Sequence, residues 1–522
     1  MIGEPLVKYY HGNDKLGTLN TINARYMSKQ LSPSQRMYNK LLDAHYDGIC
    51  KFLKPPNQRA KLIFDQEKVY EGVRDYLTKL QDKFRSRIDP EEAKYICEIE
   101  LKFYNYLAKD TNLKNIVSNF INDFMSKDSS IDKIRANYEQ MVSDYMATAS
   151  AEERQNFEEI NSEWYDVGNA KVKFHMKNQP KEVREMFWDT SDKAGQGISA
   201  WTKMANAIIS TMQQQFHEWM QNSLLDNVMW AVDRSDREIA EEFKSRGMAE
   251  HMSDARAQTI SIDASEFDQS QKHVGNVAIN NLAKAAGAPP KTVDYYQHQR
   301  EKWSATAMFN VDQAVQHANF VARHRMTSGH KMTLTGNTTY DMSIIGGEFK
   351  YSNIRFAMFK GDDSVVCCDK HQPILYEGKR LSEWCNYKLK IAIDDVPEFI
   401  ANFLTPWGFF PDVLRRTSRV VGRIVTHPEQ WEEMRRSIAD CMSVINNNAE
   451  LHLGTLAAVK HYTDKGLDIT YEEINTLLAF LRRAIWDDSM APTVTGEWNI
   501  LYYDITRMLD GMSGQLNTYY RK

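Results

Sequence analysis

Arg355-Phe-Ala-Met-Phe-Lys-Gly361-Asp362-Asp363-Ser-Val-Val-Cys-Cys368 is the stretch on which the reading of this chain turns. Two strand-length apolar runs flank a short Gly-Asp-Asp turn, which is the pattern of a β-hairpin. Two adjacent carboxylates at an apolar tip repel each other, and a bound cation relieves that repulsion. Carboxylate and carbonyl oxygens with retained waters are the ligands Mg²⁺ prefers. A bare Gly-Asp-Asp arises by chance in on the order of one in ten chains of this length at average composition. The hairpin therefore needs company before it means more than a turn.

Upstream, Gln258-Thr-Ile-Ser-Ile-Asp263 alternates polar and apolar residues, so a half-buried strand is expected, with Ile260 and Ile262 inward and Ser261 and Asp263 on the other face. Ala264-Ser-Glu-Phe-Asp268 follows. A helix is then expected, with Val274, Val277, Ala278 and Leu282 on one stripe and Gly287 and Pro289 ending it. Between strand and hairpin lies Met326-Thr-Ser328-Gly329-His-Lys-Met-Thr333-Leu-Thr-Gly-Asn337-Thr338. It opens as a loop and continues as a helix, so Thr333 and Asn337 project from one face. Small polar groups stacked this way can read a sugar hydroxyl, or can simply decorate a helix surface.

Order and spacing carry more than any one element. Asp-x4-Asp, then Ser-Gly-x3-Thr-x3-Asn, then Gly-Asp-Asp, stand in sequence within about a hundred residues. They resemble motifs A, B and C of viral RNA-dependent RNA polymerases. The Phe267-Asp268-Gln-Ser-Gln271 tail, the Thr335-Gly-Asn-Thr338 ending and Lys360-Gly-Asp-Asp-Ser364 are similar to the alphavirus-like supergroup of positive-strand RNA viruses. The resemblance covers roughly residues 170–425.

The resemblance implies an α+β right-hand polymerase of fingers, palm and thumb, with an RRM-like antiparallel palm sheet and mostly helical N- and C-terminal regions. It implies two Mg²⁺ ions, with Mn²⁺ as a substitute, bridged by Asp263 and Asp362 and assisted by Asp363. Asp268 would join Ser328, Thr333 and Asn337 in reading the ribose 2′-hydroxyl, the group that separates RNA from DNA precursors. Lys177, Lys181 and Lys193, with Gln196 and Ile198, resemble motif F, which contacts incoming phosphates, although several lysines compete for each place. Lys388 and Lys390 lie where motif D supplies a lysine that protonates pyrophosphate, and Lys390 is preferred. Phe403-Leu404 and Pro411-Asp-Val-Leu-Arg-Arg416 resemble motif E, and Arg415, Arg416, Arg419 and Arg423 would contact RNA phosphates. His330-Lys331 departs from the small or acidic residues of many relatives.

Working outward, residues 1–165 read as mostly helical: Val69, Val73, Tyr76, Leu77, Leu80 and Phe84 share a face, and Asp89-Pro90-Glu91-Glu92 looks like a helix start. Fingers with the basic segment Lys171–Arg184 are expected over 166–255. The palm is expected over 256–405 with a fingers insertion near 285–322, and motif E with a helical thumb over 406–522. Beyond 424 a return to helix is expected at Thr426-His427-Pro428-Glu429.

The net charge of −5 would not by itself announce a nucleic-acid partner, so local basic patches must supply it. Cysteines 50, 97, 367, 368, 385 and 441 form no C-x-x-C pair, which argues against structural zinc and a disulfide framework. No signal peptide or membrane-spanning run is read. The expected partners are template and product RNA, NTPs and other viral replication proteins (a capping enzyme, a helicase, a membrane anchor). The expected place is the host cytoplasm at membrane-associated replication complexes, or inside virus particles. Two alternatives remain open: a reverse transcriptase or DNA polymerase sharing the palm, and a non-catalytic RNA-binding protein.

Overall fold

The structure, a computed structural model, describes residues 33–60, 170–176, 197–201, 203–288, 290–301, 303–311, 314–376, 378–426 and 431–486, with Glu71 and Asp75. Apart from those last two, the helices expected between 69 and 92 lie outside these residues, as do Lys177, Lys181, Lys193 and Gln196. The main helices in chain order are α1 (Pro33–Cys50), α2 (Lys203–Ser223), α3 (Asp236–Ser245), α4 (His273–Ala285) and α5 (Pro290–Glu301). They continue as α6 (Thr333–Glu348), α7 (Val413–Thr426), α8 (Trp431–Met442), α9 (Asn448–Asp464) and α10 (Tyr471–Trp486). The strands are β1 (Ala170–Met176), β2 (Gly197–Ala200), β3 (Val228–Trp230), β4 (Gln258–Ala264), β5 (Trp303–Val311) and β6 (Ala314–Ala322). Then come β7 (Ile354–Lys360), β8 (Asp363–Cys368), β9 (Leu389–Ile393), β10 (Glu398–Phe399), β11 (Asn402–Thr405) and β12 (Gly408–Pro411).

The central sheet runs β9-β4-β8-β7-β3. The alternation in β4 emerges as read: Ile260 and Ile262 are buried, while Asp263 is exposed. One expectation is corrected here, because the sheet is mixed rather than antiparallel: β3 lies parallel to β7, with Val228 opposite Ala357. Its three residues are all buried, as in strands covered on both faces, and three residues are too few to show a period. A second sheet, β2-β1-β5-β6, draws on the basic segment for β1 and on residues 303–322 for a long hairpin. A third, β10-β11-β12, is antiparallel throughout.

The helix after the first motif spans His273–Ala285, with Val274, Val277, Ala278 and Leu282 buried. Helix α6 is buried at every residue from Thr335 to Glu348, so it shows no polar face. It can lie so deep because α1 crosses it backbone to backbone. A Cβ added at Gly48 would sit 2.5 Å from Gly347 N and from Ser343 O, which only glycine avoids. Lys51 Nζ then donates to the Gly346 carbonyl at 2.5 Å and the Phe349 carbonyl at 2.8 Å, satisfying the open C-terminal end of α6. The surrounding core includes Phe52, Phe216, Ile260, Tyr340 and Phe359, each fully buried, at about 1.5–3 kcal/mol per large side chain.

The C-terminal helices pack on a core of their own, including Phe403, Leu414, Trp431, Ile438, Leu477 and Leu481. Two expectations change. Helix resumes at Val413, not beyond 424, because the Asp412 carboxylate accepts the Arg415 backbone N–H at 3.0 Å as an N-cap. Of the segments matched to motif E, Phe403-Leu404 lies in the β11–β12 hairpin, which ends at Pro411, whereas Val413–Arg416 belongs to α7. Among the described residues no helix is long and apolar enough to cross a membrane, and Cys50, Cys367, Cys368, Cys385 and Cys441 are unbridged.

Candidate active site

Strands β7 and β8 are joined by Gly361 and Asp362 alone, with Lys360 opposite Asp363. Gly361 has φ of +68°, a backbone region that favours glycine. Its N–H donates to Thr338 Oγ at 2.8 Å, and the same hydroxyl donates to the Leu334 carbonyl at 2.7 Å. Helix α6 thus pins the hairpin tip. Strand β4 pairs with β8 up to Ile262 opposite Ser364, and one further step of that register sets Asp263 level with Asp363. Three of the residues singled out by sequence therefore meet at one end of two adjacent strands.

Their electrostatics are those of crowded acids. Burial first, then Asp362, Glu398 and Asp263, push the Asp363 carboxyl up to about 7, with Arg415 opposing. Asp362 is raised by protein on its flanks and by Asp263 and Asp268. Asp341, on α6, is 1% exposed and lifted well above the usual carboxylate range by burial, then by Asp362, Asp363 and Asp263. Its Oδ2 is buried without a hydrogen-bond partner. An all-oxygen, mutually repelling donor set fits a hard divalent cation. The side chains are not yet gathered for one: among the described residues no three His, Cys, Asp or Glu groups converge on a point. Asp263 is held instead by Lys390, directly opposite it in β9, with Nζ 3.1 Å from Oδ2. Lys388 is exposed, and its carbonyl accepts the Ser265 N–H at 2.9 Å.

After β4 the chain reverses through Glu266, at φ of +53°, into a single helical turn, Phe267–Ser270. That turn carries Asp268 to α6, where Asn337 Nδ2 donates to its Oδ1 at 2.7 Å. Burial raises the Asp268 carboxyl, while the Asn337 hydrogen bond and the nearby Arg300 pull it back. Gln271 Nε2 donates to Asn337 Oδ1 at 2.7 Å, and Arg300 Nη2 donates to Gln271 Oε1. Thr333 turns back into its own loop, its hydroxyl 2.6 Å from the Thr327 and His330 carbonyls. Ser328 is half-buried in that loop.

The departure at His330 proves structural. The ring is buried, accepts the Met332 N–H on Nδ1 at 3.0 Å, and so donates from Nε2 to Gln299 Oε1 at 2.7 Å. Trp201 meets it edge-on at 5.2 Å. Lys331 is exposed and lines, with Gln213, His217, Asp233 and Leu334, an open cavity of about 420 Å³.

The arginines divide. Arg415 pairs with Glu398 at 2.6 Å, and Arg416 with Asp236 at 2.5 Å, while Arg419 is exposed. The side chain of Arg423 is outside the described set. Sequence reasoning missed Gln271, Arg300, Thr338, Asp341 and Glu398. Thr338 and Gln271 stood inside the quoted motifs, and Asp341 follows Asn337 by one helical turn, so these three had a signal. Arg300 and Glu398 had none, since their partners are distant in sequence.

The chain is similar to known proteins over much of its length. The family described as RNA dependent RNA polymerase matches residues 102–483. The non-structural polyprotein pORF1 of hepatitis E virus genotype 3 (isolate Human/United States/US2) is 26% identical over 271 residues. That of genotype 1 (isolate Human/Pakistan/Sar-55) is 25% identical over 277 residues. Each match takes in 51% of this chain but only 15% of the polyprotein. Among solved structures, the RNA-dependent RNA polymerase of a human picorbirnavirus, an insertion-loop deletion mutant, overlaps 68% of this chain and 64% of its own, at 14% identity and TM-score 0.37. The BmCPV RNA-dependent RNA polymerase at its elongation state overlaps 80% and 33%, at 13% identity and TM-score 0.35. The family match spans well over half the chain, and on it the conclusion rests: the chain belongs to the RNA-dependent RNA polymerases, as a viral member of the alphavirus-like supergroup.

Proposed function

We propose that this chain copies a viral RNA genome by template-directed nucleotidyl transfer, with Asp263 and Asp362 holding two Mg²⁺ ions and Asp363 assisting. The observation that carries the reading is the shared strand end of Asp263 and Asp363, with Asp362 at the tip between them and Asp268–Asn337 alongside. When bound, the ions would activate the primer 3′-hydroxyl and neutralise charge on the triphosphate.

The chain's own residues do the rest by position. Asn337 holds Asp268 where the carboxylate can accept the 2′-hydroxyl of an incoming NTP, and Thr333 shapes the Ser328 loop beside them. This favours a ribonucleotide substrate over the deoxynucleotides of a reverse transcriptase. We assign Lys390 the role of giving a proton to departing pyrophosphate, a reading supported by its position opposite Asp263, with Nζ 3.1 Å from Oδ2. Arg419 supplies phosphate contact from the exposed face of α7, whereas Arg415 and Arg416 brace protein carboxylates. In the right-hand description the central sheet is the palm, the second sheet belongs to the fingers and the C-terminal helices form the thumb. Recruitment to replication complexes by other viral proteins completes the proposal.

RNA synthesis on a defined template with Mg²⁺ tests it, comparing the chain with Asp362→Asn. Removing one ligand charge is expected to lower kcat by about a thousandfold, on the several kcal/mol a bound metal supplies. Equal incorporation by both proteins would sink the mechanism.

A further inference from the structure

We propose that Arg300 and Gln271 are positioning residues for sugar selection, forming a one-way hydrogen-bond relay that fixes which face of the Asn337 amide meets Asp268. The inference rests on the reading above that Asp268 and Asn337 inspect the 2′-hydroxyl. Arg300 is 4% exposed, on α5, and Gln271 is 2% exposed, just past the turn that carries Asp268. The Arg300 guanidinium donates to Gln271 Oε1, to the Tyr296 hydroxyl at 3.0 Å and to the His324 carbonyl at 3.3 Å. None of these three acceptors is charged.

The chemistry of the two ends sets the direction. A guanidinium has donors only, so Gln271 must offer it the amide oxygen. Gln271 then presents its NH₂ to Asn337, at 2.7 Å, and Asn337 must accept on Oδ1. That turns the Asn337 NH₂ onto Asp268, again at 2.7 Å, and an ionised carboxylate accepts only. Each amide in isolation is free to flip by 180°. Between a donor-only and an acceptor-only terminus both are locked, and reversing either sets oxygen against oxygen. Burial raises the Asp268 carboxyl, and the positive charge of Arg300 opposes that rise. A carboxylate with one oxygen engaged by Asn337 leaves the other to accept a hydrogen bond from a ribose hydroxyl. A deoxyribose has none to give.

Gln271→Glu isolates the direction of the relay from its packing. The side chain keeps its size and can still pair with Arg300, but it faces Asn337 with an acceptor. Asn337 must then turn its NH₂ toward residue 271 and its oxygen toward Asp268. The measurement is single-nucleotide extension of an RNA primer with matched NTP or 2′-dNTP, giving kcat/KM for each. The expected result is a roughly 10- to 100-fold fall in the ratio of NTP to dNTP efficiency. It should come from a higher KM for NTP, with dNTP efficiency nearly unchanged. Arg300→Lys keeps a donor-only terminus and should retain most discrimination, whereas Arg300→Gln, which can present either face, should lose it. Should Gln271→Glu fail to fold, the Arg300 pair decides alone.

An active variant, Gln271→Glu or Arg300→Gln, with an unchanged ratio overturns the relay and leaves the proposed function standing. A wild-type chain that extends no primer with NTPs overturns the proposed function itself.

Discussion

His330 is a neutral pillar, and its neutrality follows from contacts already described. Burial first, and the nearby Arg300 second, hold its pKa down at about 3. The folded value lies below that of a free imidazole, so on acidification the unfolded chain takes the proton first. The stability this residue contributes is therefore complete above about 6.5 and is lost progressively as pH falls toward 3. The slope for one such group is about 1.4 kcal/mol per pH unit. His330→Gln can still donate to Gln299 and cannot titrate. Denaturant unfolding at pH 7 and pH 5.5 should show wild type losing about 1 kcal/mol more than the variant over that interval, because the full slope is reached only below the unfolded pKa. Parallel losses would mean that the ring takes up its proton as readily in the folded chain as in the unfolded one. The same side chain shows where residue-level reading stops: its identity marked it as a departure, but only Gln299, Met332 and Trp201 around it give the reason.

Helix α6 meets the tip of the β7–β8 hairpin through the Thr338 hydroxyl. Thr338 donates to Leu334 and accepts from Gly361, so both of its hydrogen-bonding capacities are used. Thr338→Val keeps the shape and leaves the buried Gly361 N–H without an acceptor, at about 1–3 kcal/mol. The carboxylate tip would lose its anchor as well. Expected outcomes are a lower Tm and a kcat reduced by about tenfold with KM for NTP little changed, since Asp268 and Asn337 are untouched. An unchanged kcat would show that the tip is positioned by its strands alone. At this scale much was legible: β4 from its alternation, α4 from its stripe and the hairpin from two apolar runs about a turn. The elements that were misread lacked a local signal. Strand β3 is three residues long, and the cap of α7, Asp412, directly follows the apolar strand Gly408–Pro411, which hides the helix start at Val413.

Across the whole molecule, the readable part of the site was the part written in short spacings, and the unreadable part is pairing over long separations. Nothing local announces that Arg300 meets Gln271, or that Lys390 faces Asp263. The same limit explains the arginines of α7, where a run read as RNA contacts turns inward at one member. Arg416 pairs with Asp236 on α3 at 2.5 Å, the two side chains being 19% and 14% exposed. Asn402 also donates to Asp236, at 3.3 Å. Lys244 of α3 meets Glu450 of α9 at 2.9 Å, so α3 ties the C-terminal helices to the sheet at both of its ends. Asp236→Ala strands the Arg416 charge in a dry setting and should destabilise the chain by about 3 kcal/mol. Adding Arg416→Met removes the stranded charge and supplies apolar contact, so the double variant should recover most of that loss. Denaturant midpoints of the two single variants and the double close the thermodynamic cycle. If the pair is internal, Arg416→Met also leaves the salt dependence of RNA binding unaltered, whereas Arg419→Ala lowers its slope by about one counterion. A double variant as unstable as the sum of its singles, or a salt slope that falls with Arg416→Met, would return Arg416 to the RNA-facing surface.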